Sequence, residues 1–177
     1  MRLFYGIGLN HQLTTSIGVW RERQLAADGR PVPPANFHIT LAFAGDLPQK
    51  SLEYLELTTA DCLLSAAAHG TTLCLDQVGY WSKPGILWLG PSRWPDTLET
   101  IASALRQQVS KAGGKGDRRV FQPHISLFRN CGKPPANSLQ APSFELFYDT
   151  ITLYESVKGR RSVHYQPICD WSLASAR

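Results

Sequence analysis

The stretch FHITLAF, residues 37–43, alternates in a way that a plain core strand does not. In an extended chain successive side chains point to opposite faces, so Phe37, Ile39, Leu41 and Phe43 share one face and His38, Thr40 and Ala42 the other. A buried polar group without a partner costs roughly 1–3 kcal/mol, so the second face must meet something polar. The stretch PHISLFR, residues 123–129, repeats the order, with His124 and Ser126 where His38 and Thr40 stand. One such strand is an oddity; two mark a duplicated device.

Around these strands the periodicity predicts an extended segment at residues 2–9 and a helix from about Thr14 to Ala27. A Pro-rich loop, GRPVPPAN, then fixes the entry to the first His strand. A second helix is expected over QKSLEYLELTTADCLLSAAAH, with Gly70 as its stop. TTLCLDQVGYW and GILWLG read as two strands joined by SKPG, and PDTLETIASALRQQVSKAGG as a third helix. After the second His strand come PSFELFYDTITLYES, a turn VKGRR and a last strand SVHYQPICDWSL. Strands and helices alternate without a Gly-rich nucleotide fingerprint, which favours an α+β arrangement in one domain spanning residues 1–177.

Composition narrows the class. The hydrophobic fraction of 43% is that of a globular chain, and no apolar run is long enough to span a bilayer, so a cytoplasmic protein that does not enter the membrane is expected. Cys62, Cys74, Cys131 and Cys169 show no CxxC or close pair, which argues against a zinc site and predicts four reduced thiols in or near the core. A net charge of +4 suits an anionic ligand. Neither His motif supplies a second His or carboxylate at ligand spacing, so no metal is expected, and G-x-S-x-G is absent.

Two imidazoles on central strands can divide proton transfer between them, because the free pKa of about 6.5 lies near working pH. Thr40 and Ser126, each two residues on and on the same strand face, can donate to a shared anion. Four such groups match displacement at phosphorus, which needs an acid, a base and donors for the developing charge.

NFHITLAFAGDL and PHISLFR resemble the paired H-x-[TS]-hydrophobic signatures of the 2H phosphoesterase superfamily, and the order of landmarks is similar to its RNA 2′,3′-cyclic phosphodiesterases, also called 2′-5′ RNA ligases. RLFYGIGL, VGYWSKPGILWLG, ITLYES and YQPICDWSL extend the similarity over nearly the whole chain. The resemblance implies a bilobal, pseudo-twofold arrangement of two antiparallel sheets flanked by helices, with both His strands lining a central groove. It implies metal-independent hydrolysis, without cofactor, of a 2′,3′-cyclic phosphate end to a 2′-phosphate. His38 would protonate the leaving 3′ oxygen, His124 would activate water, and Thr40 and Ser126 would hold phosphate oxygens. Arg129 matches a basic residue that often follows the second motif, and is a candidate phosphate contact.

The expected partner is RNA with a cyclic phosphate end, or a small cyclic nucleotide, bound by a monomer. Two other readings stay open: joining of RNA ends through a 2′-5′ linkage at the same site, and recognition of RNA ends without turnover. Lys111, Lys115, Arg118 and Arg119, with Lys158, Arg160 and Arg161, are candidates to guide an RNA backbone or to form a solvated surface. Phe4, Tyr5, Trp81 and Trp88 are expected chiefly in the core, with one or two available to stack on a base.

Overall fold

The computed structural model describes residues 1–115, 119–135, 141–159 and 163–174. In chain order the elements are β1 (Arg2–Gly8), α1 (His11–Gln24), β2 (Arg30–Pro31), β3 (His38–Asp46), α2 (Gln49–Ser65), β4 (Thr71–Leu75), β5 (Gln77–Trp81), β6 (Ile86–Gly90), α3 (Asp96–Lys111), β7 (Ile125–Arg129), β8 (Phe144–Tyr148), β9 (Thr150–Lys158) and β10 (Val163–Ser172). One four-stranded antiparallel sheet runs β10-β9-β1-β3 and another runs β2-β7-β6-β5. Each carries one His motif, and β3 packs against β7 where the sheets meet. This is the expected α+β class, with a third, two-stranded sheet of β4 and β8 added.

That small sheet arises because two long apolar stretches break. TTLCLDQVGYW divides at Asp76, whose carboxylate accepts from the Ser92 amide and hydroxyl, both at 2.7 Å, and so ends β4. PSFELFYDTITLYES divides at Asp149, and its first half leaves the sheet to pair with β4. The first helix starts three residues earlier than the apolar period predicts, because Asn10 Oδ1 accepts from the Leu13 amide at 2.8 Å as an N-cap. The second helix ends at Ser65, well before Gly70, and Ala67 takes the left-handed turn at φ 48°. Cys131 is buried as expected, but Cys74 lies exposed on β4.

Both His strands depart from strict alternation at the same place. In β3, Thr40 lies opposite Gly6 and Ala42 opposite Tyr5, leaving Leu41 as the extra residue of a bulge. In β7, Ser126 lies opposite Trp88 and Phe128 opposite Leu87, leaving Leu127 in the same role. Each bulge flips the faces beyond it. Ala42 is therefore buried, and Phe43, expected beside Phe37 and Ile39, is turned to the His38 face, where the Arg2 guanidinium lies 5.1 Å from its ring centroid.

Beneath the meeting of β3 and β7 lies a buried cation. Arg21 of α1 is 4% exposed, and its Nη1 donates to the carbonyls of Val32, before β3, and of Leu127, the bulge residue of β7. The rings of Phe37 and Phe128 flank the guanidinium, each with its centroid 5.4 Å away. The Val32 amide also donates to Leu127 at 2.9 Å, so one carbonyl joins both His segments. Arg21→Met leaves the inward Val32 carbonyl without its donor, strips the Leu127 carbonyl of its second, and should lower the unfolding free energy in urea by about 2 kcal/mol.

Candidate active site

Each histidine is fixed by the backbone two residues before it. His38 Nδ1 lies 2.8 Å from the Asn36 carbonyl, and His124 Nδ1 lies 2.8 Å from the Gln122 carbonyl. A carbonyl only accepts, so Nδ1 carries the proton in both rings and Nε2 is left to do chemistry. His38 Nε2 in turn lies 3.0 Å from Thr40 Oγ1, so the neutral ring accepts from that hydroxyl. The Asn36 side chain donates to Val163 of β10 at 2.7 Å, anchoring the turn that holds His38. Asn36 has no sequence signal beyond its place before the motif.

Aromatic walls hold both rings. The His38 ring centroid lies 4.8 Å from those of Phe4 and Tyr165 and 6.3 Å from that of Tyr154. His124 meets Trp81 at 4.6 Å and Trp88 at 6.3 Å. Of the four aromatics singled out in the sequence, Phe4, Trp81 and Trp88 thus border the histidines. Tyr5 instead points into the core, where its hydroxyl lies 2.6 Å from Thr59 Oγ1. Trp88 lies flat against Gly79: a Cβ there would sit 2.0 Å from its Cζ2, so this strand position is closed to any side chain.

Arg129 is five residues after His124, and in an unbroken strand it would point to the opposite face. The bulge at Leu127 restores it to the face of His124 and Ser126. Electrostatics agree with the geometry. Burial pulls the His38 pKa down to about 4; the hydrogen bond to Asn36 opposes this, and the charges of Arg129 and His124 push it lower. His124 is lowered by burial too, opposed by its bond to Gln122 and reinforced by Arg129 and Arg119. Arg129 therefore acts on both imidazoles, which are neutral at pH 7.

The remaining sequence candidates divide. Arg119 lies close enough to act on His124. Lys111 borders a hollow between α2 and α3 that contains neither histidine. Lys115 and Lys158 are exposed, while Arg118, Arg160 and Arg161 fall outside the described residues. Among the described residues no group of three His, Cys, Asp or Glu side chains is placed to hold a metal. No helix described is long and apolar enough to cross a membrane.

The 2′-5′ RNA ligase superfamily model matches residues 11–154. The chain is 33% identical to the RNA 2′,3′-cyclic phosphodiesterase of Escherichia coli, over 97% of this chain and 96% of that protein. It is 29% identical to the RNA 2′,3′-cyclic phosphodiesterase of Bacillus subtilis, over 81% and 80%. The crystal structure of E. coli LigT complexed with 3′-AMP superposes with a TM-score of 0.88 at 32% identity, covering 98% of each chain.

Two outcomes follow from this geometry. Gly79→Ala should cost about 1–3 kcal/mol through overpacking, and should shift the ring proton resonances of His124 as Trp88 gives way. Because the unfolded His38 binds its proton near pH 6.5 and the folded one only near 4, its contribution to stability is complete above pH 6.5. Unfolding free energy should fall as the pH drops from about 6.5 to 4, and His38→Gln should flatten that fall.

Proposed function

Because this chain belongs to the 2′-5′ RNA ligase superfamily, we propose that it hydrolyses RNA 2′,3′-cyclic phosphate ends, with His38 and His124 as the proton-transfer pair. The observation that carries the reading is the matched pair of neutral imidazoles, each with Nδ1 tied to a backbone carbonyl, beside one shared cation. Residues 1–177 act as one bilobal unit, as a monomer in the cytoplasm.

Water attacks phosphorus while the bond from phosphorus to the 3′ oxygen breaks. His124 Nε2 takes the proton of the attacking water, and protonated His38 gives its proton to the leaving 3′ oxygen. The products are a 2′-phosphate and a 3′-hydroxyl, and the pair returns to its first protonation state by exchange with solvent. A neutral His38 must gain a proton before it can act, and the substrate supplies the reason: a phosphodiester anion beside the imidazole favours the charged form. Thr40 and Ser126 donate to the non-bridging oxygens, while Arg129 carries the countercharge. The same displacement, with a 5′-hydroxyl in place of water as the attacking group, would join two ends through a 2′-5′ linkage. Water at bulk concentration favours hydrolysis.

The test is incubation of a short RNA with a 2′,3′-cyclic phosphate end in excess EDTA, with the product isomer identified. The wild type should release only the 2′-phosphate, and His38→Ala and His124→Ala should each slow it at least about 100-fold. A 3′-phosphate product, or full activity in both variants, would defeat the mechanism.

A further inference from the structure

Beside Arg129 stands a second arginine that the mechanism does not use. In the antiparallel pairing of β2 with β7, Arg30 lies directly opposite Arg129. Directly opposed residues project on the same face, with Cβ atoms about 4.5–5.5 Å apart. The bulge at Leu127 has already turned Arg129 to the face of His124 and Ser126, so Arg30 projects on that face too. It stands on the outermost strand of its sheet, one strand beyond β7, and is exposed.

Two like charges directly opposed destabilise a sheet unless something lies between them. Among the described residues no carboxylate pairs with either guanidinium: the one ion pair within 4 Å is Arg21 with Glu22. The acid nearest in sequence, Asp28, instead accepts from the Gly132 amide at 3.1 Å. The opposed pair is therefore a built cationic step leading outward from the histidines. Its inner member acts on both imidazoles, as their lowered pKa values record, and its outer member faces solvent.

We propose that Arg30 binds the phosphodiester adjacent to the terminal cyclic phosphate, making the site selective for an RNA chain over a lone cyclic nucleotide. This rests on the hydrolytic reading above for the position of the reacting phosphate, but not for the second anion. A mononucleotide has no second phosphate and cannot engage Arg30. An oligonucleotide places its next phosphate one strand further out, where a guanidinium can take two oxygens at once. The contact is to the backbone, so it carries chain length and no base preference.

The experiment compares kcat/KM for a 2′,3′-cyclic mononucleotide with that for a short oligoribonucleotide ending in the same nucleotide and cyclic phosphate. The wild type, Arg30→Ala and Arg30→Lys are measured at two salt concentrations. The ratio of oligonucleotide to mononucleotide should fall about tenfold or more in Arg30→Ala, the size of a lost charge-assisted hydrogen bond, and recover in part in Arg30→Lys. The log–log salt slope for the oligonucleotide should shrink by about 0.7. An unchanged ratio, or an equal loss on both substrates, would overturn the assignment. Titration of the wild type and Arg30→Ala with an oligonucleotide carrying a 2′-phosphate, against the matching mononucleotide, reads the contact without turnover. A wild type that binds but hydrolyses neither substrate would count against the hydrolytic reading, while the binding ratio still decides the role of Arg30.

Discussion

The guanidinium of Arg21 sets the relation between the two histidines. Each imidazole belongs to a different sheet, so their mutual placement depends on how β3 and β7 are held together. Arg21 reaches from α1 to the carbonyl of Val32, which leads into the first His strand, and to that of Leu127, the bulge of the second. A cation in such a place is costly to desolvate, and two carbonyls and two ring faces offset the cost only while all four stay in position. The same geometry that makes the charge tolerable therefore fixes the bulge, and the bulge fixes Arg129.

Much of this was legible in the sequence where the signal is local. The alternation of FHITLAF placed His38 and Thr40 on one face, and the repeat in PHISLFR named their counterparts. Phe43 and Arg129 show what alternation misses. A period of two assigns every residue beyond a bulge to the wrong face, and a bulge is set by the partner strand's register, which no local pattern carries. Asp76 and Asp149 likewise sit inside apolar stretches that read as continuous; only the need of β4 and β8 for each other divides them. Arg21 was silent because an arginine on a helix near Glu22 reads as solvated surface, and its partners are carbonyls from distant segments. Arg30 was silent for a related reason: its meaning lies wholly in the residue across from it.

The lowered histidines, the cation beside them and the anionic substrate form one electrostatic argument. Burial in aromatic walls keeps both imidazoles neutral, which suits a base and disfavours an acid. A cation that acts on both deepens the preference. In the proposed mechanism the arrangement becomes competent for acid catalysis when a phosphodiester arrives, because its negative charge offsets Arg129 and raises the pKa of the ring it touches. The ligand-free site thus holds few protons, and under the proposed function substrate recruits the one that the leaving group needs. Proton inventory and substrate binding are coupled through the same few ångströms.

Matched scaffolds with unmatched side chains give the site a direction. His38 corresponds to His124, Thr40 to Ser126, and the bulge at Leu41 to that at Leu127. If the correspondence were complete, a cyclic phosphate could enter in either sense and the roles of acid and base would be degenerate. It breaks at the residue two beyond each bulge, where Phe43 stands in one strand and Arg129 in the other. In the first sheet Arg2 lies over the ring of Phe43 and directs its charge to an aromatic face. In the second, two guanidinium groups oppose one another, and among the described residues no carboxylate pairs with either. Under the proposed function an anionic chain would run along the second sheet, and a base or ribose would meet apolar surface along the first, where Phe4, Tyr154 and Tyr165 surround His38. On that proposal, the polarity of the bound RNA decides which imidazole meets the attacking water and which meets the leaving oxygen.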